Sequence, residues 1–310
     1  MTPEIRELFV PVRIDQKSHD PHDLLVQDVS LFSVDDLPQA THILIGCPQD
    51  QGVRRNHGRL GAAEAPAAIR AMFYRLKPPM NHTPVRLLDL GDIRVDGELE
   101  VIHERLQQVV AAALRARKQV IVLGGGNDIS LADGSAMAGV FGEITAINID
   151  AHLDMRKSPH RHSGTPYRNL LDRGLIKPGN LCAVGIQPWL NSPEYLSDAE
   201  DLGVRIKTLT EVRRVGVETA FRNLLASLYG RPFFVGLDMD SVRSADAPGV
   251  SAPSPVGFTA EDVLHFADTC HHHPATGIFE ISEVNPVFDR DHCTARLAAL
   301  AVYTFLYGLR

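Results

Sequence analysis

Short, strongly apolar runs alternate with amphipathic stretches along nearly the whole chain. Seven runs read as strands: THILIGCP (41–48), VRLLDLG (85–91), KQVIVLGGG (118–126), EITAINID (143–150), LCAVGIQ (181–187), RPFFVGLDMD (231–240) and GIFEISEVNP (277–286). Five stretches carry helical spacing: 62–76, 99–117, 217–230, 259–270 and 294–308. Strand-helix alternation of this kind implies a mainly parallel sheet covered on both faces. Ligands of such open sheets bind beyond the carboxyl ends of the strands. The loops that follow these strands are rich in special residues, at 48–56, 124–128, 157–168 and 241–255. No linker of low complexity interrupts the 310 residues, which are expected to form a single domain over 1–310, with 1–40 the least diagnostic part.

Two of the runs end in acids. IDAHLD presents Asp150, His152 and Asp154, and VGLDMD presents Asp238 and Asp240. Read as extended strand, period-2 spacing turns each set to one side. Charged groups at the ends of buried strands are costly to desolvate unless something positive neutralises them. A mixed carboxylate and imidazole set suits Mn, Fe, Co or Zn better than Ca or Mg. Metal-dependent hydrolysis is the chemistry this implies.

Composition narrows the field. The formal net charge is −7 and no basic block interleaves with aromatics, so nucleic acid is not an expected partner. No apolar stretch approaches the length of a membrane span, and the N-terminus lacks the apolar core of a signal peptide. Cys47, Cys182, Cys270 and Cys293 form no CxxC pair, which reads as reduced thiols in a cytoplasmic protein. The glycine run 124–126 matches neither GxGxxG nor GxxxxGK[ST], and no GxSxG is present, so nucleotide loops and serine hydrolysis lack local support.

NIDAHLD, GLDMD, SGTPYR and EVNP, in this order, resemble the ureohydrolase superfamily of arginases, agmatinases and formimidoylglutamases. DQGVRRNHGRLGAAEAP, HSGTPYR, APGVSAP and EVNPVFDRDHCTARLAA look like the formimidoylglutamase branch. The superfamily's DxDxxDP continues here as DMDSVRSADAPG, without the DP. The resemblance runs from about Ile43 to the C-terminus. It implies an arginase-like, three-layer α/β/α fold with a mostly parallel sheet of about eight strands. It also implies two Mn2+ ions held by Asp150, His152, Asp154, Asp238 and Asp240, with Asp150 and Asp238 bridging, and metal-activated water attacking a linear amidine. The implied reaction converts N-formimidoyl-L-glutamate to L-glutamate and formamide, a step of histidine catabolism. Agmatine or a guanidino acid is the alternative substrate. Family members commonly form homo-oligomers, and that expectation extends to this chain without naming an interface.

One position departs from the pattern. The superfamily's loop after the third strand usually carries a histidine ligand, whereas this chain reads GGGNDIS, with Asn127 in its place. A neutral amide is a weaker ligand than imidazole. Three outcomes follow: a working pair with one labile ion, a single-metal site, or a catalytically impaired binding protein. Retained catalysis is the favoured one, since the other ligands and the substrate loops are present. A single-Zn deacylase on the related deacetylase fold is a further rival.

Other candidates are tied to the substrate. Glu283 matches the acid that pairs with the cationic carbon–nitrogen group in arginase relatives, with Glu280 the weaker choice. His162 lies in the loop where relatives carry a proton-shuttling histidine, and His160 competes for that role. Arg54, Arg55 and Asn56 could read a dicarboxylate, because guanidinium forks match carboxylates two bonds at a time. Thr165, Arg168 and Arg243 are further candidates for lining the pocket. Against each stands the ordinary reading of a loop cation as a surface charge.

Overall fold

The computed structural model describes residues 1–12, 30–31, 33–77, 79 and 85–309. Of the least diagnostic segment, residues 13–29 and 32 lie outside the described residues. The strands are β1 (Phe9–Val10), β2 (Ser30–Leu31), β3 (His42–Gly46), β4 (Leu87–Ile93), β5 (Gln119–Leu123), β6 (Thr145–Ile149), β7 (Leu181–Ile186), β8 (Arg205–Thr208), β9 (Phe233–Asp238) and β10 (Thr276–Ser282). They form one sheet in the order β1-β4-β3-β5-β10-β9-β6-β7-β8, with β2 pairing β4 off that path. Among the described strands, β1 alone runs antiparallel to its neighbour. The run from β4 to β8 is therefore the parallel, eight-strand body that the resemblance implies, and two-residue β1 and β2 are additions at one edge.

The strand residues alternate between two cores, as pleating demands. Leu44, Ile121, Ile147, Ile149, Val235, Leu237, Phe279 and Ile281 face one layer, which holds the helices Ala65–Phe73, Leu209–Val215, Val217–Ala226, Ala260–His271 and Cys293–Tyr307. Ile43, Ile45, Val120, Val122, Ala146, Phe234 and Ile278 face the other, beneath Leu99–Arg115, Ser130–Phe141, Pro166–Asp172 and Pro193–Leu202. Both faces are buried, which is why the strands read as continuous apolar runs.

The register positions the chemistry. Gly46, Leu123, Ile281, Leu237, Ile149 and Val184 form one row across β3, β5, β10, β9, β6 and β7. One step further along, three of these strands present Ser282, Asp238 and Asp150, and β5 passes into Gly124. Four adjacent central strands thus deliver their last strand or first loop residues side by side, at the carboxyl edge.

Candidate metal centre

Asp150 and Asp238 sit where β6 and β9 end, and each begins a tight turn. The Asp150 carboxylate accepts the His152 N–H at 2.7 Å, and the Asp238 carboxylate accepts the Asp240 N–H at 2.8 Å. This corrects the strand reading of the two motifs. The pleat does not extend through DAHLD or DMD; an aspartate folding back on the residue two ahead does the work. Asp240 lies in a 3-10 turn over Met239–Ser241. Asp154 has φ of 48°, in the left-handed region that costs a non-glycine residue energy.

The turns bring all five side chains together. Ligand atoms of Asp150, His152 and Asp240 lie within 4.8 Å of one another, as do those of Asp150, Asp154 and Asp238. Asp150 belongs to both groups, so it stands between two adjoining cation positions. His152 Nδ1 is 3.4 Å from Asp150 Oδ1 and 3.3 Å from Asp240 Oδ2.

The electrostatics ask for positive charge. Burial, reinforced by Asp240, pushes Asp150 up to about 6, while Asp154 and Asp238 are raised well above the usual carboxylate range, first by burial and then by neighbouring acids. The Asp240 carboxylate pushes the His152 imidazole up to about 12. Protein alone therefore holds extra protons here, at the places a divalent cation would take. Asp240 Oδ1 is buried and has no hydrogen-bond partner. An orphaned carboxylate oxygen on a residue grouped with Asp150 and His152 fits a cation of borderline hardness.

Asn127 is at this cradle, but with its nitrogen forward. Nδ2 donates to Asp154 Oδ2 at 2.6 Å and lies 3.5 Å from Asp150 Oδ2. Oδ1 is turned back to the hydroxyls of Ser130 and Ser282, at 3.0 and 3.1 Å. Asp128 does not compensate; Oδ2 meets His103 Nε2 at 2.7 Å and Gln49 Nε2 at 2.8 Å, away from the acids. The glycines before it permit a close crossing, for a Cβ on Gly125 would sit 1.6 Å from the Gln49 carbonyl oxygen.

Glu283 borders the same cavity. Its N–H donates to Gly125 O at 2.8 Å, its Oε1 accepts the Asn127 N–H at 3.0 Å, and its φ is 61°. The loop after β5 and the end of β10 are clipped together by this pair of bonds, which hold the strained residue in place. Burial, then Asp240 and Asp154 among its neighbours, raises the Glu283 carboxyl well above its ordinary value.

A cleft of about 370 Å³ opens over the cradle, lined by His152, Asp154, Asp238, Asp240 and Glu283 on its floor and by Asn56, Arg156, Ser163, Leu190 and Tyr195 among its walls. Arg156 was not anticipated. Its guanidinium donates to Asn56 Oδ1 at 3.1 Å and meets no carboxylate among the described residues. No sequence signal singled it out, because period-2 spacing does not survive the turn at Asp150 and the left-handed backbone of Asp154.

The remaining candidates lie elsewhere. Arg55 forks onto Glu100, at 2.7 and 3.1 Å, and reaches Glu98 at 3.2 Å. Arg54 is exposed and absent from the cleft lining. Arg168 pairs with Asp172 and Asp198, and Arg243 with Asp246. Thr165 is buried and bonds His162 through both the N–H and the carbonyl oxygen, so it shapes the loop rather than facing the cleft. His162 lies with His57, His160, Arg55 and Arg156 in a neighbouring depression, its Nδ1 accepting the Gly164 N–H at 3.1 Å. Burial, with Arg156 next, lowers its pKa and so disfavours the charged imidazole. Glu280 faces away from the cleft, into the layer under Asn127.

Fold and site together define a mostly parallel, three-layer α/β scaffold whose sheet edge carries a cluster of carboxylates and an imidazole that could hold metal. The chain belongs to the arginase family, which it matches over residues 40–308. It is 34% identical over 262 residues to the formimidoylglutamase of Geobacillus thermodenitrificans, covering 82% of this chain and 80% of that one. Its structure is similar to that of Trypanosoma cruzi formiminoglutamase with Mn2+2, with a TM-score of 0.85, 33% identity, and 90% of this chain and 96% of that chain covered. The formimidoylglutamase of Bacillus subtilis superposes with a TM-score of 0.87 at 27% identity, covering 95% of each chain.

Proposed function

We propose that this protein hydrolyses N-formimidoyl-L-glutamate to L-glutamate and formamide, using Mn2+ held by Asp150, His152, Asp154, Asp238 and Asp240. The observation that carries this reading is the pairing of opposites in one cleft: an acidic floor suited to cations, and a wall guanidinium, Arg156, that meets no carboxylate among the described residues. An amidine with a carboxylate tail needs both. Homology to formimidoylglutamases, one of them crystallised with Mn2+2, supports the same substrate and metal.

Bound Mn2+ supplies the Lewis acidity that lets water lose a proton near neutral pH. The protein's own groups do the rest. Glu283, with Oε1 engaged by Asn127, keeps Oε2 for the protonated formimidoyl nitrogen and holds the amidine carbon over the cradle. Arg156, steadied by Asn56, takes a substrate carboxylate, and Ser163, which accepts from Asn56 at 3.0 Å, lines the same wall. Asp154 faces the reacting region and can accept a proton for later return to the departing amine. His162 would act only if it reached the cleft from its own depression.

Agmatine would leave Arg156 without a partner, which favours the carboxylate-bearing amidine. The forward-facing amide of Asn127 favours a second reading, in which one cation position is weak. A metal count paired with turnover on formimidoylglutamate, agmatine and arginine tests both. Mn2+ uptake with turnover of formimidoylglutamate alone is expected. Negligible metal and no turnover at millimolar Mn2+ would leave a binding protein instead.

A further inference from the structure

A basic depression of about 540 Å³ adjoins the metal cleft, and the two share Asn56 and Arg156 as lining residues. His57, Ser158, His160 and His162 line its remainder with Arg55, and no aspartate or glutamate among the described residues does so. Arg55 is already engaged by Glu98 and Glu100, so its charge is largely offset. Arg156 is different. Its side chain bonds the Asn56 amide oxygen and no other group among the described residues, which leaves guanidinium N–H groups at the join between the two cavities.

His162 supplies the buried end of the depression, at 8% exposed. Its Nδ1 accepts the Gly164 N–H at 3.1 Å, so the lone pair is on that nitrogen and the neutral ring keeps its proton on Nε2. No acceptor among the described residues takes that Nε2–H. A donor so nearly enclosed is costly to leave unpaired, and the cations and imidazoles around it offer no charged acceptor. The donor is also held in place. The Thr165 hydroxyl accepts the His162 N–H at 3.0 Å and donates to the His162 carbonyl oxygen at 2.8 Å. The Arg156 N–H donates to the Gly164 carbonyl oxygen at 2.9 Å, which ties the free guanidinium and this imidazole to one loop.

We propose that this depression seats the distal carboxylate of a dicarboxylate amidine, which accepts from His162 Nε2–H while the carboxylate next to the amidine nitrogen rests on Arg156. The proposal rests on the reading of the cleft as an amidine hydrolase for the substrate, though not for the anion seat itself. A glutamate skeleton joins its two carboxylates by a short, flexible carbon chain, and Arg156 stands where the two cavities meet. A singly charged oxyanion suits the seat, because burial and Arg156 both disfavour the charged form of the His162 ring.

L-Glutamate and L-glutamine differ only in the charge of the distal group, and neither needs turnover to be measured. Calorimetry on the Mn2+-loaded protein should show L-glutamate binding roughly tenfold more tightly than L-glutamine. His162→Asn keeps an oxygen near the Nδ1 position for the Gly164 N–H but deletes the Nε2 donor, and should shrink that preference to within roughly threefold. His162→Gln returns an amide N–H near the Nε2 position and should recover part of it. Equal binding of the two amino acids by wild type, binding of neither, or a preference unchanged in His162→Asn would overturn the proposal. Inorganic phosphate that binds wild type but not His162→Asn, with the two amino acids binding alike, would overturn it too and give the depression to a separate anion. Turnover of formimidoylglutamate is measured apart. Turnover without the preference removes the anion seat and leaves the proposed reaction, whereas the preference without turnover does the reverse.

Discussion

Asn127 shows how much one side chain decides and how little its identity alone reveals. The residue type announced a weakened ligand; its orientation, nitrogen toward Asp154 and oxygen toward two serines, depends on Asp154, Ser130 and Ser282, the last of them 155 residues away in the chain. Asn127→His should place an imidazole nitrogen beside Asp150, Asp154 and Asp238 and raise Mn2+ affinity at that position roughly tenfold, read by calorimetry. Unchanged uptake would mean that the loop after β5 does not face the cation. Arg156 is the second residue of consequence. Arg156→Met removes a charge-assisted bond worth about 2 kcal/mol, so KM for formimidoylglutamate should rise roughly thirtyfold with kcat little changed. If kcat fell and KM did not move, Arg156 would be acting on the reacting atoms and not on the tail. The clustering of the acids was legible because carboxylates are rare at the ends of buried strands. Which arginine reaches the cleft was not, because Arg55, Arg168 and Arg243 are distinguished from Arg156 only by whether an acid stands nearby in space.

The elements were legible to the extent that they are half-buried. The five amphipathic stretches appear as helices with ends shifted by a few residues, and the seven apolar runs all appear as strands. The helix Ser130–Phe141 escaped because its first eight residues are all buried, leaving no polar face to mark a period. The strand β8 escaped for the opposite reason: RIKT at the sheet edge is partly exposed and reads as loop. Short helices such as Leu209–Val215 declare themselves only through a cap, here the Thr208 and Glu211 box. Some joints between elements are polar and fully inside. Arg70, on the helix Ala65–Phe73, bonds Asp89 at 2.9 and 3.0 Å and Asp92 at 2.6 Å on β4, and Tyr74 adds a bond to Asp89 at 2.7 Å. Arg70→Met would strand buried acids without a cation and should cost about 3–5 kcal/mol in urea unfolding. A loss below about 1 kcal/mol would show that the acids find another partner.

At the scale of the molecule the two edges of the sheet are built on opposite principles. The carboxyl edge gathers buried acids whose charge a bound cation would offset, whereas the amino edge is closed by a histidine whose pKa burial lowers. His42 opens β3, stacks edge-on against Phe305 of the last helix at 5.9 Å, and is 9% exposed. Burial, with His271 contributing, lowers its pKa to about 4, despite a bond with Gln119 that favours the proton. Among the described residues, Gln119 and His271 are the neighbours that bear on its proton. An unfolded chain binds a proton at His42 near pH 6.5, while the native protein resists until about pH 4. Between these values the unfolded state holds more protons, so stability falls as the pH drops through that window and levels off below it. The contribution is present in full above about pH 6.5, and its loss should approach roughly 3 kcal/mol. Urea unfolding of wild type and His42→Gln from pH 7.5 to 4 isolates it, because the cradle acids and surface pairs are common to both. The wild type should lose its stability relative to the variant across that interval. Parallel curves would mean that His42 titrates normally and that the junction of β3 with the last helix is open to water.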